Sequence, residues 1–465
     1  MTGTTISNVA VRFSLLLALT VLSILLINPA SLIALSVGLV IYTALHVFVM
    51  GGVELLTKGQ LVFLFYGLLS IFLYCAQGWA NPEYFGFSGG LSVGTDDSFF
   101  FSLAVDDLPS NFPVRSDYAF RTQPYGDFLS VFAAITMLTS EVVHPLDLIL
   151  VNIVGLAMIP ALVERLAYVG TADARVARIA MFLALVCPFM LANGLILVRD
   201  AWMTMFFLSG LLSAISRRYI VLGLSLICSA YFRLENGILL GFSTWILLVI
   251  LSGATDLHAR HGWVLTWSGL LKIVVPPVLF VVGIISVLTS SAGTKLLEFS
   301  LYRSGFIELM MQATGRTNEF STSYFIDQLT WPLRIVLGSL FYFGSPFLAI
   351  DQWVTRGMVV PRAIMFGIFS ILFILYGGMF GRGAVRVFKE RHLIMIAFLT
   401  IFLTDIIILS QMSLIIRHKM VLIPIFYIIV AYGMMWKSQA GYGMALTVSV
   451  LVFLANLIVY SAGVL

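Results

Sequence analysis

Between Gly89 and Asp107 the chain reads GGLSVGTDDSFFFSLAVDD, and Asp96 and Asp97 stand side by side after the flexible Gly89-Gly90 and Gly94. Carboxylates so placed can take a proton from a hydroxyl and can face a cationic transition state. Elsewhere guanidiniums occur beside acids or an imidazole: Arg199-Asp200, Arg233 with Glu235, and Arg417-His418-Lys419. Arg303 and Arg316 lie in a second polar stretch. Arginine grips phosphate oxygens bidentately. The chemistry these types support together is transfer of a sugar from a polyprenyl diphosphate carrier. The leaving group gains negative charge as the glycosidic bond breaks, and the acceptor hydroxyl must lose its proton to a base. On this expectation Asp96 or Asp97 is the catalytic base. The other orients a partner or a divalent metal ion, and metal dependence stays open. Arg199, Asp200, Arg233, Glu235, Arg303, Arg316, Arg417, His418 and Lys419 are the expected substrate ligands.

The elements that must position these groups follow from composition. The 465 residues are 60% hydrophobic and only 10% charged, with 22 acidic side chains, and the mean hydropathy is +1.04. Soluble domains carry roughly a quarter charged residues, so the chain reads as a polytopic membrane protein. Apolar runs lack the alternation of barrel strands, and lipid leaves no partner for an open backbone, so the spans must be helices. The expected fold is all-α, a single integral membrane domain over 1–465.

Spans are read near 13–28, 30–50, 60–77, 146–163, 176–197, 201–216, 219–232, 237–252, 270–289, 363–380, 393–411, 420–435 and 441–461. That gives about 13 crossings, each run being long enough for a hydrocarbon core of roughly 30 Å. Two apolar pieces, 128–138 and 335–350, are read as dipping into the membrane without crossing; the second carries Gly338, Gly344 and Ser345-Pro346. With that choice Arg165, Arg175, Arg178, Arg217-Arg218, Arg382, Arg386, Lys389 and Arg391 all face the cytoplasm, as the positive-inside rule asks. The amino terminus is then inside. Two polar loops, about 78–127 and 290–362, lie outside, and so do the span ends bearing Arg199, Arg233 and Arg417. Phe99-Phe100-Phe101 suit the headgroup level and put Asp96 and Asp97 at the outer membrane surface.

These segments carry a resemblance. GTDDSFFFSLA, followed by RTQPYGDFLSVFAAITML, is similar to the first external loop of the C-type membrane glycosyltransferases. CPFMLANGLILVRDAWMTMFFLSG, RRYIVLGLSLICSAYFRLENGILL and IIRHKMVLIPIFYIIVAYG resemble bacterial O-antigen and exopolysaccharide repeat-unit polymerases. The resemblance spans roughly residues 80–435. It implies a glycosyltransferase of the bacterial inner membrane that joins polyprenyl-diphosphate-linked oligosaccharide units to a glycan acceptor at the periplasmic face, within a polysaccharide assembly system. In the C-type enzymes an aspartate of that loop is the base. Three spans precede the acidic loop here, against one in typical C-type enzymes, and no soluble carboxyl-terminal domain follows; that departure favours the polymerases. Two alternatives remain: a transferase adding one sugar from a polyprenyl-phosphate donor, and a flippase of lipid-linked sugars. Transporters tend to show repeats and charges near the midplane, whereas these charges gather at one surface.

Other signals point elsewhere. No P-loop, dinucleotide fingerprint or nucleophile elbow occurs, which argues against nucleotide sugars and ATP. Cys75, Cys187 and Cys228 show no paired spacing, and His144, His258, His261 and His392 show no zinc spacing. A net charge of +4 spread over short loops gives no footprint for nucleic acid. Asp405 falls inside the span 393–411 and is expected to be a carboxylic acid bonded to a hydroxyl, of Thr404 or of a neighbouring helix. His46 is expected to be a packed, hydrogen-bonded core histidine.

Overall fold

The computed structural model describes residues 3–53, 55–80, 119–138, 142–256, 360–412 and 416–436, with isolated positions elsewhere that include Phe100, 103–105, 336–339 and Phe343. Every regular element among the described residues is a helix. They are α1 (Gly3–Ile27), α2 (Ser31–Met50), α3 (Leu56–Ala80), α4 (Ala119–Met137), α5 (Pro145–Thr171), α6 (Ala174–Leu185), α7 (Pro188–Gly194), α8 (Asp200–Ile215), α9 (Tyr219–Phe232), α10 (Leu234–Asp256), α11 (Val360–Glu390), α12 (Leu393–Met412), a 3-10 turn (Ile416–Val421) and α13 (Ile423–Met434). Among the described residues, six stretches are long and apolar enough to cross a membrane: 31–50, 56–76, 145–171, 234–252, 364–390 and 393–410. The chain is therefore a multi-pass membrane protein, helical throughout its described elements. The stretches 270–289 and 441–461 and most of 335–350, read as two spans and a dip, lie outside the described residues, as does most of both long loops. Within the first of those loops, helix α3 runs on to Ala80 and α4 starts as early as Ala119.

Helix α5 is the hub. Its membrane-spanning window is wholly buried, and α2, α3, α6 and α8 pack along it. A helix apolar all round needs such enclosure. The outer helices show the complementary pattern: Ile364, Ile368, Ile371 and Leu375 form an exposed apolar stripe on α11 at helical spacing. In lipid that stripe is solvated, not stranded.

The amino end of α5 is capped with care. The His144 imidazole Nδ1 accepts the Leu146 N–H, and Asp147 Oδ2 accepts the His144 N–H at 2.8 Å. This reciprocal cap satisfies two helix-end donors. The Ser31 hydroxyl donates to the other oxygen of Asp147, which fastens α2 to α5, while His144 Nε2 meets the Tyr74 hydroxyl at 3.2 Å, fastening α3. Burial holds the His144 imidazole below its ordinary pKa, against the smaller opposing pull of Asp147. The unfolded chain therefore binds more protons at this residue, and stability rises with pH through the ordinary histidine range. The contribution is fully present above that range and is lost as pH falls through it. The detergent-solubilised protein is expected to melt lower at about pH 5 than at about pH 8, and His144→Asn, a cap that does not titrate, to flatten that slope. Melting curves at the two pH values check this.

Three expectations from the sequence need correction. The span 176–197 is broken: α6 ends at Leu185, α7 starts at Pro188 bent by 49°, and residues 195–199 are not helical. Pro188 has no N–H to continue the ladder and biases Cys187 toward the extended backbone it adopts, with ψ of 110°. The span read as 363–380 continues to Glu390, so Arg382 is not in a cytoplasmic loop but is 1% exposed, inside the bundle. Arg386 shares that last stretch: its Nη1 donates to the Tyr432 carbonyl at 2.9 Å and its Nε to Glu390 at 2.8 Å. Cations complement the negative end of a helix, which favours carrying the helix through them. Finally, residues 119–127 of the first long loop are helical although Pro124, past the first turn of α4, has no N–H for the ladder and costs the helix one bond.

Two contacts set the close spacing of the bundle. Helices α11 and α13 meet at Gly383 and Gly433, where a Cβ on Gly433 would lie 2.1 Å from the Met379 carbonyl oxygen and 2.7 Å from the Gly383 nitrogen. Only hydrogen fits there, as at many helix crossings in lipid. At the carboxyl end of α2, Gly51 adopts a left-handed φ of 78°, and Arg218 donates to the carbonyls of Phe48 and Val49. The guanidinium thereby caps a helix end and neutralises its partial negative charge.

A candidate charged site at one end of the bundle

The bundle has two ends, and contacts sort the loops between them. One end joins Met50–Leu56, Glu164, the α8–α9 turn and Arg386: Lys58 Nζ lies 3.7 Å from Glu164, and Arg218 reaches α2 as described. The opposite end holds Ser31, Tyr74, His144 and, two turns into α5, Asn152. Six of the expected site residues are described with their side chains, and all six belong to this second end: Arg199, Asp200, Arg233, Glu235, His418 and Lys419.

Helix geometry puts them there. Arg199 precedes α8, and Asp200 occupies its first turn, where the helix's positive end favours a carboxylate. Asp200 is nonetheless almost fully buried. Arg233 is the single extended residue between α9 and α10, at φ −164°, and Glu235 lies in the first turn of α10. Nη1 of Arg199 donates to the Phe232 carbonyl at 3.1 Å, satisfying one of the free acceptors at the end of α9. Arg233 makes two contacts at once. Its Nε lies 3.6 Å from Glu235 Oε2, and its Nη2 lies 3.2 Å from His418 Nδ1. A guanidinium only donates, so Nδ1 must present a lone pair and the His418 proton sits on Nε2. His418, almost wholly buried, rides on the 3-10 turn after α12. Three separate segments, 199–200, 233–235 and 418, thus converge in one polar cluster.

Lys419 is placed differently from an open ligand. It is fully buried, with Nζ donating to the Phe343 carbonyl at 2.5 Å and 4.0 Å from the centre of the Phe373 ring. Its Nζ points into an aromatic nest of Phe343, Phe373, Phe380, Phe402 and Phe426. Asp96, Asp97, Arg303, Arg316 and the side chain of Arg417 lie outside the described residues.

Several neighbours were not singled out from the sequence. Asn152 accepts the Tyr125 hydroxyl at 2.7 Å and donates to the carbonyls of Ile196 (2.7 Å) and Val198 (3.1 Å). It supplies the partners that the non-helical backbone before Arg199 lacks, and so ties that segment to α4 and α5. As an amide inside an apolar run, Asn152 carried the signal of an intramembrane polar residue. Tyr125 interacts electrostatically with Asp200 and Arg199, and Asp127 accepts from the Tyr231 hydroxyl. Beneath the polar groups lies an aromatic floor in which Phe128 meets Trp202 at 4.9 Å and Phe232 at 5.2 Å, ring centre to ring centre. Among the described residues no three His, Cys, Asp or Glu side chains gather closely enough to hold a metal ion.

Elsewhere in the bundle, His46 is buried and its Nδ1 lies 3.2 Å from the Tyr42 hydroxyl, a packed histidine as expected. Asp405 is also buried and bonded to a hydroxyl, that of Ser243 on α10.

What the fold and the cluster define is a polytopic helical membrane protein with a semi-buried, mixed-charge site at one end of its bundle. No protein-family model matches the sequence, and no curated protein matches it significantly.

Proposed function

We propose that the chain is a membrane glycosyltransferase of bacterial surface-polysaccharide assembly, polymerising polyprenyl-diphosphate-linked oligosaccharide units at the periplasmic face of the inner membrane. The observation that carries this reading is the convergence of Arg233, Glu235 and His418 with Arg199 and Asp200 at one end of an apolar bundle. Charges in so oily a chain are costly unless paired or wetted, and a cluster kept there is a functional candidate. Diphosphate oxygens of a lipid-borne donor would be met by Arg199 and Arg233, whose guanidiniums stabilise negative charge as it grows. The neutral His418, with a proton on Nε2, would donate to the same oxygens. The acceptor's proton would pass to Asp96 or Asp97. Aromatic rings next to the cluster suit the apolar faces of sugars. The donor, a glycan acceptor and membrane lipids are the partners, and whether a divalent ion assists is left open.

The test is to replace Asp96 and Asp97 singly with Asn and to score glycan chain length on the host cell and lipid-linked intermediates in its membrane. Loss of a general base lowers rate by about 10²–10⁴-fold, so one of the two variants should leave surface glycans as single units. Chains of normal length lacking one residue would instead identify a single-sugar transferase. Substrate trapped on the cytoplasmic leaflet would identify a flippase. Normal glycans in both variants would remove these aspartates from the site.

A further inference from the structure

Deep in the bundle, away from the charged cluster, Asp405 of α12 and Ser243 of α10 are both fully buried. Ser243 Oγ lies 2.7 Å from Asp405 Oδ2 and also 2.7 Å from the Leu239 carbonyl oxygen. A hydroxyl has one hydrogen and two lone pairs, so it cannot donate to both. If Asp405 were ionised, either two acceptors would face each other unbridged at one of these distances, or the carbonyl would repel Oγ. Among the described residues the second carboxyl oxygen, Oδ1, meets no hydrogen-bond partner. An ionised carboxylate with a single donor and no cation is the costliest group to bury. A neutral acid resolves every contact: the Asp405 O–H donates to Ser243, and the Ser243 O–H donates to Leu239.

This relay lies between the two segments that build the candidate site. Helix α10 begins directly after Arg233, and α12 leads through three residues into the 3-10 turn that carries His418. The two helices pack along each other, and the 3.2 Å contact of Arg233 with His418 closes the same pair of helices at their ends. We infer that Asp405 is a positioning residue: held as a neutral carboxylic acid, it ties α12 to α10 through Ser243 and so sets His418 against Arg233. The inference deepens the reading of the Arg233 cluster as the site and rests on it for its functional consequence, though not for the tie itself.

Two measurements test the tie without any assay of activity. Infrared spectra of the purified full-length protein should contain the carbonyl stretch of a protonated, weakly bonded carboxylic acid that is missing from Asp405→Asn. Oxidative cross-linking of an Arg233→Cys, His418→Cys pair, made in a chain whose Cys75, Cys187 and Cys228 are replaced by Ala, reads the site geometry. Asp405→Asn keeps a donor for Ser243 and should preserve the cross-link, whereas Asp405→Ala should lower its yield about tenfold, the ratio a single net hydrogen bond supports. Absence of the acid band, a cross-link indifferent to Asp405→Ala, or failure of Asn to rescue it would each overturn the inference. Because Asp405→Asn retains the shape of the native side chain, its spectrum and cross-link remain readable even where Asp405→Ala does not fold. Glycan chain length with the native Arg233 and His418 should follow the same order, native and Asn long, Ala short. A cross-link that follows this order while glycans stay normal in Asp405→Ala would uphold the tie and sink the reading of the Arg233 cluster as the site.

Discussion

On the proposed function, Arg233→Ala is expected to abolish long glycan chains in the host, lowering the polymerisation rate by about 10²–10³-fold, the usual cost of removing one preorganised donor from developing charge. The expectation comes from the position of the side chain, which holds Glu235 with one nitrogen and His418 with another. Truncation would release both partners together. Arg233→Lys should not restore activity, since a single ammonium cannot span the two contacts that a planar fork spans. The check is glycan length on gels, paired with size-exclusion profiles of the purified variants. A folded Arg233→Ala protein that still makes full-length polymer would refute the reading of this cluster as the site. The Arg233–Glu235 pair is long, at 3.6 Å, and both side chains keep some exposure, so water can take the place of the lost guanidinium. The variant should accordingly fold.

The largest expected loss of stability lies elsewhere, at Gly433. A Leu there would drive its Cβ to within 2.1 Å of the Met379 carbonyl and 2.7 Å of the Gly383 nitrogen. Both obstacles are backbone, so no rotamer change relieves them, and α11 must separate from α13. Overpacking of yielding cores costs about 1–3 kcal/mol and occasionally more; this site should exceed that range. Gly433→Leu is expected to give little monodisperse protein in detergent. Gly223→Leu on α9 is the control: a Cβ there meets nothing within 4 Å, and the protein should melt close to native. Equal behaviour of the two variants would show that the α11–α13 approach is not needed for folding.

The sequence was most informative where apolar length alone decides the element. Residues 30–50, 219–232 and 393–411 are observed as Ser31–Met50, Tyr219–Phe232 and Leu393–Met412, because a run of lipid-compatible side chains between polar turns admits one structure. Hydropathy fails where geometry decides. It sees nothing wrong with Cys187-Pro188, where a missing N–H breaks the helix, and it stops 363–380 at its first arginine although the helix carries Arg382 into the interior. The candidate site was legible as a set of span ends but not as contacts. Arg233 and His418 are 185 residues apart, and no local pattern announces that their segments are neighbours. Lys419 illustrates the converse. It adjoins His418 in sequence, yet the 3-10 turn aims it into an aromatic interior, away from the cluster that its neighbour joins. Likewise Asp405 announced itself as an oddity in an apolar run, but its partner Ser243 came from a helix that the sequence does not link to it.

Helices α8 and α9 have 16 and 14 residues, about 24 and 21 Å at 1.5 Å per residue, while α2, with 20, reaches about 30 Å. Arg218, in the turn joining the short pair, is pinned to the last carbonyls of α2, so the shortfall falls wholly at the other end. Polar groups of the cluster therefore sit several ångströms below the level of the amino end of α2, and a bilayer matched to α2 would have to thin beside them. Each ångström of such mismatch costs a fraction of a kcal/mol, so the acyl-chain length of the host membrane becomes a variable that the site itself feels.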